Sequence, residues 1–319
     1  MGSRTHSIVR SLQQATLLQI EERLAPALDA GVLQKPLDKD HSRERVFSLT
    51  RTFWSWIWQV LQANTSCREV VRQTQALFAT WSSLQVDEGT SAYCQARKKL
   101  ADSILEAAFQ AAARSADKEA VGAPRRLQGR SLKMVDGSTV RLADTPENRQ
   151  AFPPSQHQFE KPSFPMLKLV TLFSASSGAI VGRVTGTFAQ SELRLLFSLR
   201  QPLLSQDIVI GDRFYGSFVV AAWALQHGAD LIARLGKSRR IDFRKSLRRL
   251  GRNDAIFRWP KPDKPSPVLS AEEWALLPEQ IEVRVLRMRV KRPGFRTAPD
   301  TLTRYNGVTS IVTSRRISP

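Results

Sequence analysis

Two aspartates carry the chemistry that this sequence is best placed to do. Asp136 follows apolar residues in Met134-Val135-Asp136-Gly137-Ser138-Thr139, and Asp212 follows Val209-Ile210-Gly211 at the end of a short apolar stretch. Sites gather at strand ends of this kind in α/β sheets. Two carboxylates on neighbouring strands can share divalent cations. A pair of magnesium ions roughly 3.5–4 Å apart can activate an attacking oxygen and stabilise a leaving one in phosphodiester chemistry. Each aspartate also has a plainer reading. Asp-Gly is a common hairpin turn, and Asp212 could cap the helix that follows it. Spacing alone leaves both readings open.

Other chemistries find little support. No phosphate loop, dinucleotide glycine pattern or zinc spacing is present. His6, His41, His157 and His227 are scattered, so a histidine-based nucleophilic triad is not indicated, and His227 reads as a helix C-cap. Cys67 and Cys94 form no metal-spaced pair and read as buried or helical thiols.

The elements that must position the aspartates follow from periodicity. Residues up to about 119 read as helical. An aromatic run with Phe47, Phe53, Trp54, Trp56 and Trp58 reads as core, and Ser66 with Glu69 three residues on forms a capping-box pattern that starts a helix. Residues 120–131 turn to Gly, Pro and Arg, a linker composition. Beyond them the pattern is strand-like. Residues 132–142 read as one or two extended pieces, and 144–164, with four prolines, as loop. Residues 165–173 and 179–188 read as a hairpin around the turn at 174–178. A helix over 190–199, a buried strand over 207–211, an apolar helix over 216–227 and a strand over 229–235 complete the series. The order strand, strand, strand, helix, strand, helix, strand builds a mixed sheet with helices on its faces.

The 319 residues carry a formal net charge of +19, which favours a polyanionic partner, nucleic acid being the usual one. Residues 234–261 hold eleven Lys or Arg against only Asp242 and Asp254. Proline-rich sequence follows, and then an edge-like basic β segment over 281–290. Candidate phosphate contacts are Lys237, Arg239, Arg240, Arg244, Lys245, Arg248 and Arg249 in this stretch, Arg213 beside Asp212, and Arg97, Lys98 and Lys99 on a helical segment that could dock on DNA. A solvated charged face is the competing reading. The longest apolar stretch, 218–225, is too short to span a bilayer, and the first residues have no apolar signal core, so a cytoplasmic protein is expected.

Several blocks resemble the IS-four family of bacterial insertion-sequence transposases. The run Asp136-Gly137-Ser138-Thr139-Val140-Arg141-Leu142-Ala143-Asp144-Thr145-Pro146-Glu147-Asn148 is similar to the family's first-aspartate block, and Gly211-Asp212-Arg213-Phe214-Tyr215 to its second. Residues 161–170, 66–69, 92–100 and 292–297 also resemble family segments, and all the blocks occur in family order between about 46 and 297. The resemblance implies a ribonuclease-H-like fold and an acidic (DDE) triad holding Mg2+ or Mn2+. It implies hydrolysis at the element's end, attack of the freed 3′-hydroxyl on a second phosphodiester, and a dimer that brings two double-stranded DNA ends together. The family's third acid is a Glu on a helix after a β-rich insertion, in a signature of Tyr, Arg three on, Glu four further and Lys seven further. That signature is not found here, and Tyr305 has Val308 where Arg is required.

The expectation is therefore an α/β chain in four parts. An amino-terminal helical DNA-binding domain covers 1–120, a ribonuclease-H-like core 131–235, a basic β-rich insertion 236–297, and an aberrant tail 298–319 reflects a frameshift or truncation. Asp136 and Asp212 are the expected catalytic metal ligands of a cut-and-paste transposase chain that is inactive alone, nucleoid-associated in a bacterial cytoplasm. Two alternatives stay open. One is a non-catalytic DNA-binding remnant or inhibitor of transposition. The other is a different ribonuclease-H-like nuclease with a substitute acid such as Glu279 or Glu282.

Overall fold

The computed structural model describes residues 7, 10–29, 31–33, 46–62, 65–81, 85–120, 126–127, 129–154, 164–199, 206–236, 241–289 and 308–314. Lys237, Arg239, Arg240 and the family-like stretches 161–163 and 292–297 lie outside the described residues. The chain divides into two compact units, Met1–Lys118 and Glu119–Pro319. No described helix is long and apolar enough to cross a membrane.

The first unit is helical, with α1 (Leu17–Leu24), α2 (Leu49–Leu61), α3 (Cys67–Trp81), α4 (Ser91–Lys98) and α5 (Asp102–Glu119). Its core joins Leu17 and Ile20 of α1 to Phe53, Trp54 and Trp58 of α2, Val70 and Val71 of α3 and Tyr93 of α4. Phe47, Phe53, Trp54 and Trp58 of the aromatic run are thus core, while Trp56 is half-buried outside the cluster. The Trp58 indole donates to the Ala15 carbonyl at 2.9 Å, which satisfies its polar edge inside the cluster. Helix α3 starts where the Ser66 side chain accepts from the Glu69 amide. Cys67 and Cys94 are free thiols. Burial and the neighbouring Cys67 thiol push the Cys94 thiol up.

The second unit is built on a ten-stranded sheet. Its strands are β1 (Arg126–Leu127), β2 (Arg130–Arg141), β3 (Met166–Ser174), β4 (Ile180–Thr187), β5 (Ile208–Gly211), β6 (Asp230–Arg234), β7 (Arg248–Gly251), β8 (Asp254–Pro260), β9 (Gln280–Arg289) and β10 (Val308–Ser314). The first part is a mixed five-strand sheet in the order β4-β3-β2-β5-β6, antiparallel up to β2 and parallel from β2 through β5 to β6. With its helices it makes an α/β architecture compatible with a ribonuclease-H-like fold. The sheet then continues without a break through β10, β9, β8 and β7, all antiparallel.

Four expectations need correction. Asp136-Gly137 does not turn the chain: β2 runs through both residues, and pairing with β3 is continuous from Lys133 to Arg141. The stretch 144–164 is not all loop. Pro146–Ala151 forms a short helix, α6, because the Thr145 side chain accepts from the Asn148 amide at 3.2 Å and Pro146 suits the first turn. Residues 281–289 are not an edge, since β9 pairs with β8 on one side and β10 on the other. Its Arg284 is buried and bonded to Asp254, and its Arg287 donates to the Ile241 carbonyl at 2.9 Å. Within the expected tail, Val308–Ser314 is the strand that joins β6 to β9.

Among the described residues the second unit has three further α-helices, α7 (Glu192–Phe197), α8 (Phe218–Gln226) and α9 (Ala271–Ala275). Helix α8 is apolar all round, and every residue from Phe218 to Ala224 is buried. A helix with no polar face must be enclosed. One core cluster contains α8 with Val135 and Val209 of the parallel strands, Leu195 and Leu196 of α7, and Trp259, Ile281 and Val285 of the later strands. The start of α8 is fixed by Ser217, whose hydroxyl accepts from the Val220 amide at 3.4 Å. Ser217→Ala is expected to cost about 1 kcal/mol, the usual loss for an N-cap, and a urea denaturation midpoint measures it.

Candidate acidic site

Asp136 and Asp212 both lie just beyond the paired part of the β2–β5 seam. The parallel register pairs Leu132 with Ile208, Lys133 with Val209 and Met134 with Ile210. Asp136 lies two residues beyond the last of these pairs, and Asp212 directly follows the end of β5 at Gly211. Along β2, Lys133 and Val135 are buried while Met134 and Asp136 are exposed, and Asp212 is exposed as well.

Local hydrogen bonds hold both carboxylates. Asp136 Oδ1 accepts from the Gly137 amide at 3.0 Å, and the Thr171 hydroxyl of β3 donates to the Asp136 carbonyl at 3.3 Å. Asp212 Oδ1 accepts from the Phe214 amide at 2.7 Å, which turns the chain after β5. Asp212 does not cap α8, a role that belongs to Ser217. The register itself is clamped at the far end of the strands. The Arg130 guanidinium pairs with Asp230, which is 1% exposed, and its Nε donates to the Gln206 carbonyl at 2.7 Å. One side chain of β2 thereby fixes the starts of β5 and β6.

A third carboxylate arrives from the helix-covered face, and the sequence reading did not identify it. Glu192 is the first residue of α7, behind the Ser191 cap. A Cβ on Gly137 would stand 2.5 Å from the Glu192 Cδ and 2.9 Å from its Oε1. The bare α-carbon of Gly137 is therefore what lets the carboxylate lie against β2, one residue from Asp136. Helix α7 is held in turn by Arg194, which bonds Glu273 of α9 at 2.6 Å. Nothing in a lone Glu at the start of a six-residue helix signals this position. Only the fold brings 192 to 137.

Tyr215 lies under the three acids. Its ring packs on the end of β5, where a Cβ on Gly211 would come within 2.6 Å of the Tyr215 Cβ. The side chain is 1% exposed and its hydroxyl is directed to the Glu192 carboxylate. Burial, then the charges of Glu192, Asp136 and Asp212 in that order, push the phenol pKa far up. The phenol thus sits within the field of all three carboxylates.

Among the described residues, Asp136, Asp212 and Glu192 form no ion pair, although the chain has 48 Lys and Arg against 29 Asp and Glu. Also among the described residues, no three acidic, histidine or cysteine side chains are gathered tightly enough to cage a metal ion as they stand. Magnesium does not need such a cage, because it keeps several waters and takes one or two carboxylates. An all-oxygen donor set of this kind suits magnesium or manganese better than zinc. Glu279 and Glu282 are elsewhere: Glu279 pairs with Lys261 at 3.2 Å, and Glu282 is on β9, separated from β5 by β6 and β10.

The basic candidates divide by setting. Arg97 is committed inside the helical unit, where it donates to Gln59 Oε1 at 3.1 Å and stacks over Tyr93. Lys98, Lys99 and Arg213 are exposed. Arg244 is exposed but bonded to Asp242 at 3.1 Å. Lys245, in the turn before β7, and Arg248 and Arg249 of β7 are exposed; among the described residues β7 pairs with β8 alone.

No family model matches the chain. The chain is similar to the transposase InsG for insertion sequence element IS4 of Escherichia coli (strain K12), at 28% identity over 166 residues, 51% of this chain and 36% of that protein. It is also similar to "Putative transposase InsZ" of the same organism, at 28% identity over 166 residues, 50% of this chain and 53% of that protein. The chain thus spans about a third to a half of the length of the curated relatives it matches.

Proposed function

We propose that this chain is a transposase of the DDE type with a ribonuclease-H-like core, in which Asp136 and Asp212 hold a divalent cation for phosphodiester chemistry on DNA. What supports the reading is that Asp136, in β2, and Asp212, directly after β5, both lie just beyond the paired part of these two adjacent parallel strands. The similarity to two transposases supports it independently. When bound, Mg2+ or Mn2+ would supply Lewis-acid activation of water and stabilise the leaving oxygen. The protein's own part is to fix the two carboxylates through the Gly137 and Phe214 amides and to bring DNA to them. A dimer that joins two element ends belongs to the same reading.

Within these 319 residues the family's Tyr, Arg, Glu and Lys signature is missing, which favours a second reading: a DNA-binding protein of transposase descent that cleaves weakly or not at all. Incubating the full chain with Mg2+ or Mn2+ and a supercoiled plasmid carrying element ends separates the two. Nicking that Asp136→Ala abolishes supports catalysis by this chain. DNA retention without nicking supports the second reading.

In both readings β7 contacts phosphate. Each phosphate neutralised contributes close to one unit to the slope of log affinity against log salt. The double change Arg248→Ala, Arg249→Ala is expected to reduce that slope by about 2 and to weaken binding uniformly across sequences. An unchanged slope would mean that the two arginines serve only to protect an open sheet edge.

A further inference from the structure

We propose that Cys67 and Cys94 form a redox modification site in the helical unit, a thiol pair that a small-molecule disulfide such as oxidised glutathione closes to an intramolecular disulfide. The site is independent of the acidic site and of the DNA reading. Cys67 is the first residue of α3, and Cys94 lies within α4. The Cys67 sulfur accepts from Gln59 Nε2 of α2 at 3.7 Å and from Arg97 Nη1 of α4 at 3.8 Å. Gln59 Oε1 accepts in turn from the Tyr93 hydroxyl at 2.7 Å and from Arg97 at 3.1 Å. This polar cluster seats α4 against the start of α3. Residues three apart share a helix face, so the face that brings Arg97 to Cys67 also carries Cys94. The Cys94 thiol is in hydrogen-bond contact with the Cys67 side chain, and both thiols are half-buried, within reach of a small reagent.

The cluster also sets the order of events. The thiolate is the nucleophile in disulfide exchange. Arg97 and Gln59 both donate to the Cys67 sulfur, where the negative charge of an attacking thiolate would sit. Burial, and then the contact with Cys67, push the Cys94 thiol up, which suits it to the second step. Cys67 gives its proton to solvent and attacks one sulfur of the oxidant. The oxidant's S–S bond breaks, and one thiolate leaves and takes up a proton. Cys94 then loses its proton and attacks the Cys67 sulfur of the mixed disulfide, which releases the second small thiol. The protein thiols lose two electrons and two protons, and one small-molecule disulfide is reduced to two thiols. A cysteine placed only to pack acts as a small hydrophobe and needs neither the two donors nor a second sulfur beside it.

The chain has two cysteines, so mass spectrometry accounts for every thiol. The full chain, reduced and freed of reductant, is equilibrated with mixtures of reduced and oxidised glutathione, quenched with acid, alkylated and weighed. The same series is run in urea. The expected product is a monomer lighter than the reduced chain by two hydrogens and free of glutathione. The equilibrium constant for closing the bond is expected to be at least about 10-fold larger in the native chain than in urea, because groups held in contact exceed the effective concentration of a flexible loop. A smaller ratio, glutathione adducts in place of the closed bond, or linkage between chains would overturn the proposal. Cys94→Ser is expected to stop as a glutathione adduct and to form it faster than Cys67→Ser does. The reverse order would overturn Cys67 as the attacking sulfur. Should either variant fail to fold, the native-to-urea ratio of the unaltered chain still decides.

Discussion

Asp136→Asn and Asp212→Asn are each expected to weaken Mn2+ binding at least about 100-fold, since loss of a supporting partner alone costs a metal site 10–100-fold and here a charged ligand is lost. The substitutions isolate charge from structure. Asp136 Oδ1 accepts from the Gly137 amide and Asp212 Oδ1 from the Phe214 amide, and an asparagine carbonyl oxygen can accept both bonds. Both residues are exposed, so stability should move by no more than about 0.5 kcal/mol. Calorimetric titration with Mn2+ and a urea midpoint, run on the same preparations, check the two halves. A large loss of stability would mean that the aspartates are structural. Unaltered metal affinity in either variant would remove that residue from the site.

The largest effect on the fold is expected at Arg130. Asp230 is 1% exposed and its carboxylate is bonded by the Arg130 guanidinium, which is itself mostly buried. Stripping one partner from a buried pair leaves a charge without its compensating ion and costs about 3–5 kcal/mol. Arg130→Met is expected to destabilise the second unit by that amount. Arg130 also bonds the Gln206 carbonyl just before β5, so the loss falls on the strands whose register aligns the aspartates. The urea midpoint of Trp223 and Trp259 fluorescence would follow it, as both indoles are buried in that core. A change under about 1 kcal/mol would show that the seam is held by the hydrophobic core alone.

How much of this was legible in the sequence depended on whether the signal was local. The chain order of the five strands and their two helices follows from runs such as Ile208-Val209-Ile210 and Phe218–Gln226, whose apolar character is written in consecutive residues. The first unit's aromatic core was equally local. Helix α6 was readable in principle, because Thr145 followed by Pro146 is a cap and first-turn signal, but the surrounding prolines obscured it. Strand β10 was also written locally: Val308-Thr309-Ser310-Ile311-Val312-Thr313-Ser314 is rich in β-branched residues. It reads as aberrant only because it departs from the transposase signature, which is a statement about descent and not about propensity. The edge assignment for residues 281–290 failed for a different reason. Arginines on a strand read as exposed until the partner acid is known, and Asp254, which buries Arg284, comes from a neighbouring strand. Glu192 and Tyr215 were beyond reach altogether. Their meaning comes from the crossing of α7 over Gly137 and the return of the chain after Asp212, and neither leaves a periodic trace.

The same distinction explains why the basic candidates resolve less sharply than the acids. Two carboxylates near the ends of adjacent strands narrow the choice of role, whereas an exposed arginine on β7 is satisfied by water, by phosphate or by its role as an edge guard. Arg97 shows how a basic residue of a family-like block can be consumed internally, by Gln59 and Tyr93.

The most direct measurement is an anomalous difference map from crystals of the chain grown with Mn2+. A single peak within about 2.5 Å of a carboxylate oxygen from Asp136 and one from Asp212 is the predicted result. A peak bound to one aspartate without the other, or none at millimolar Mn2+ with both side chains ordered, would contradict the shared site and the function built on it.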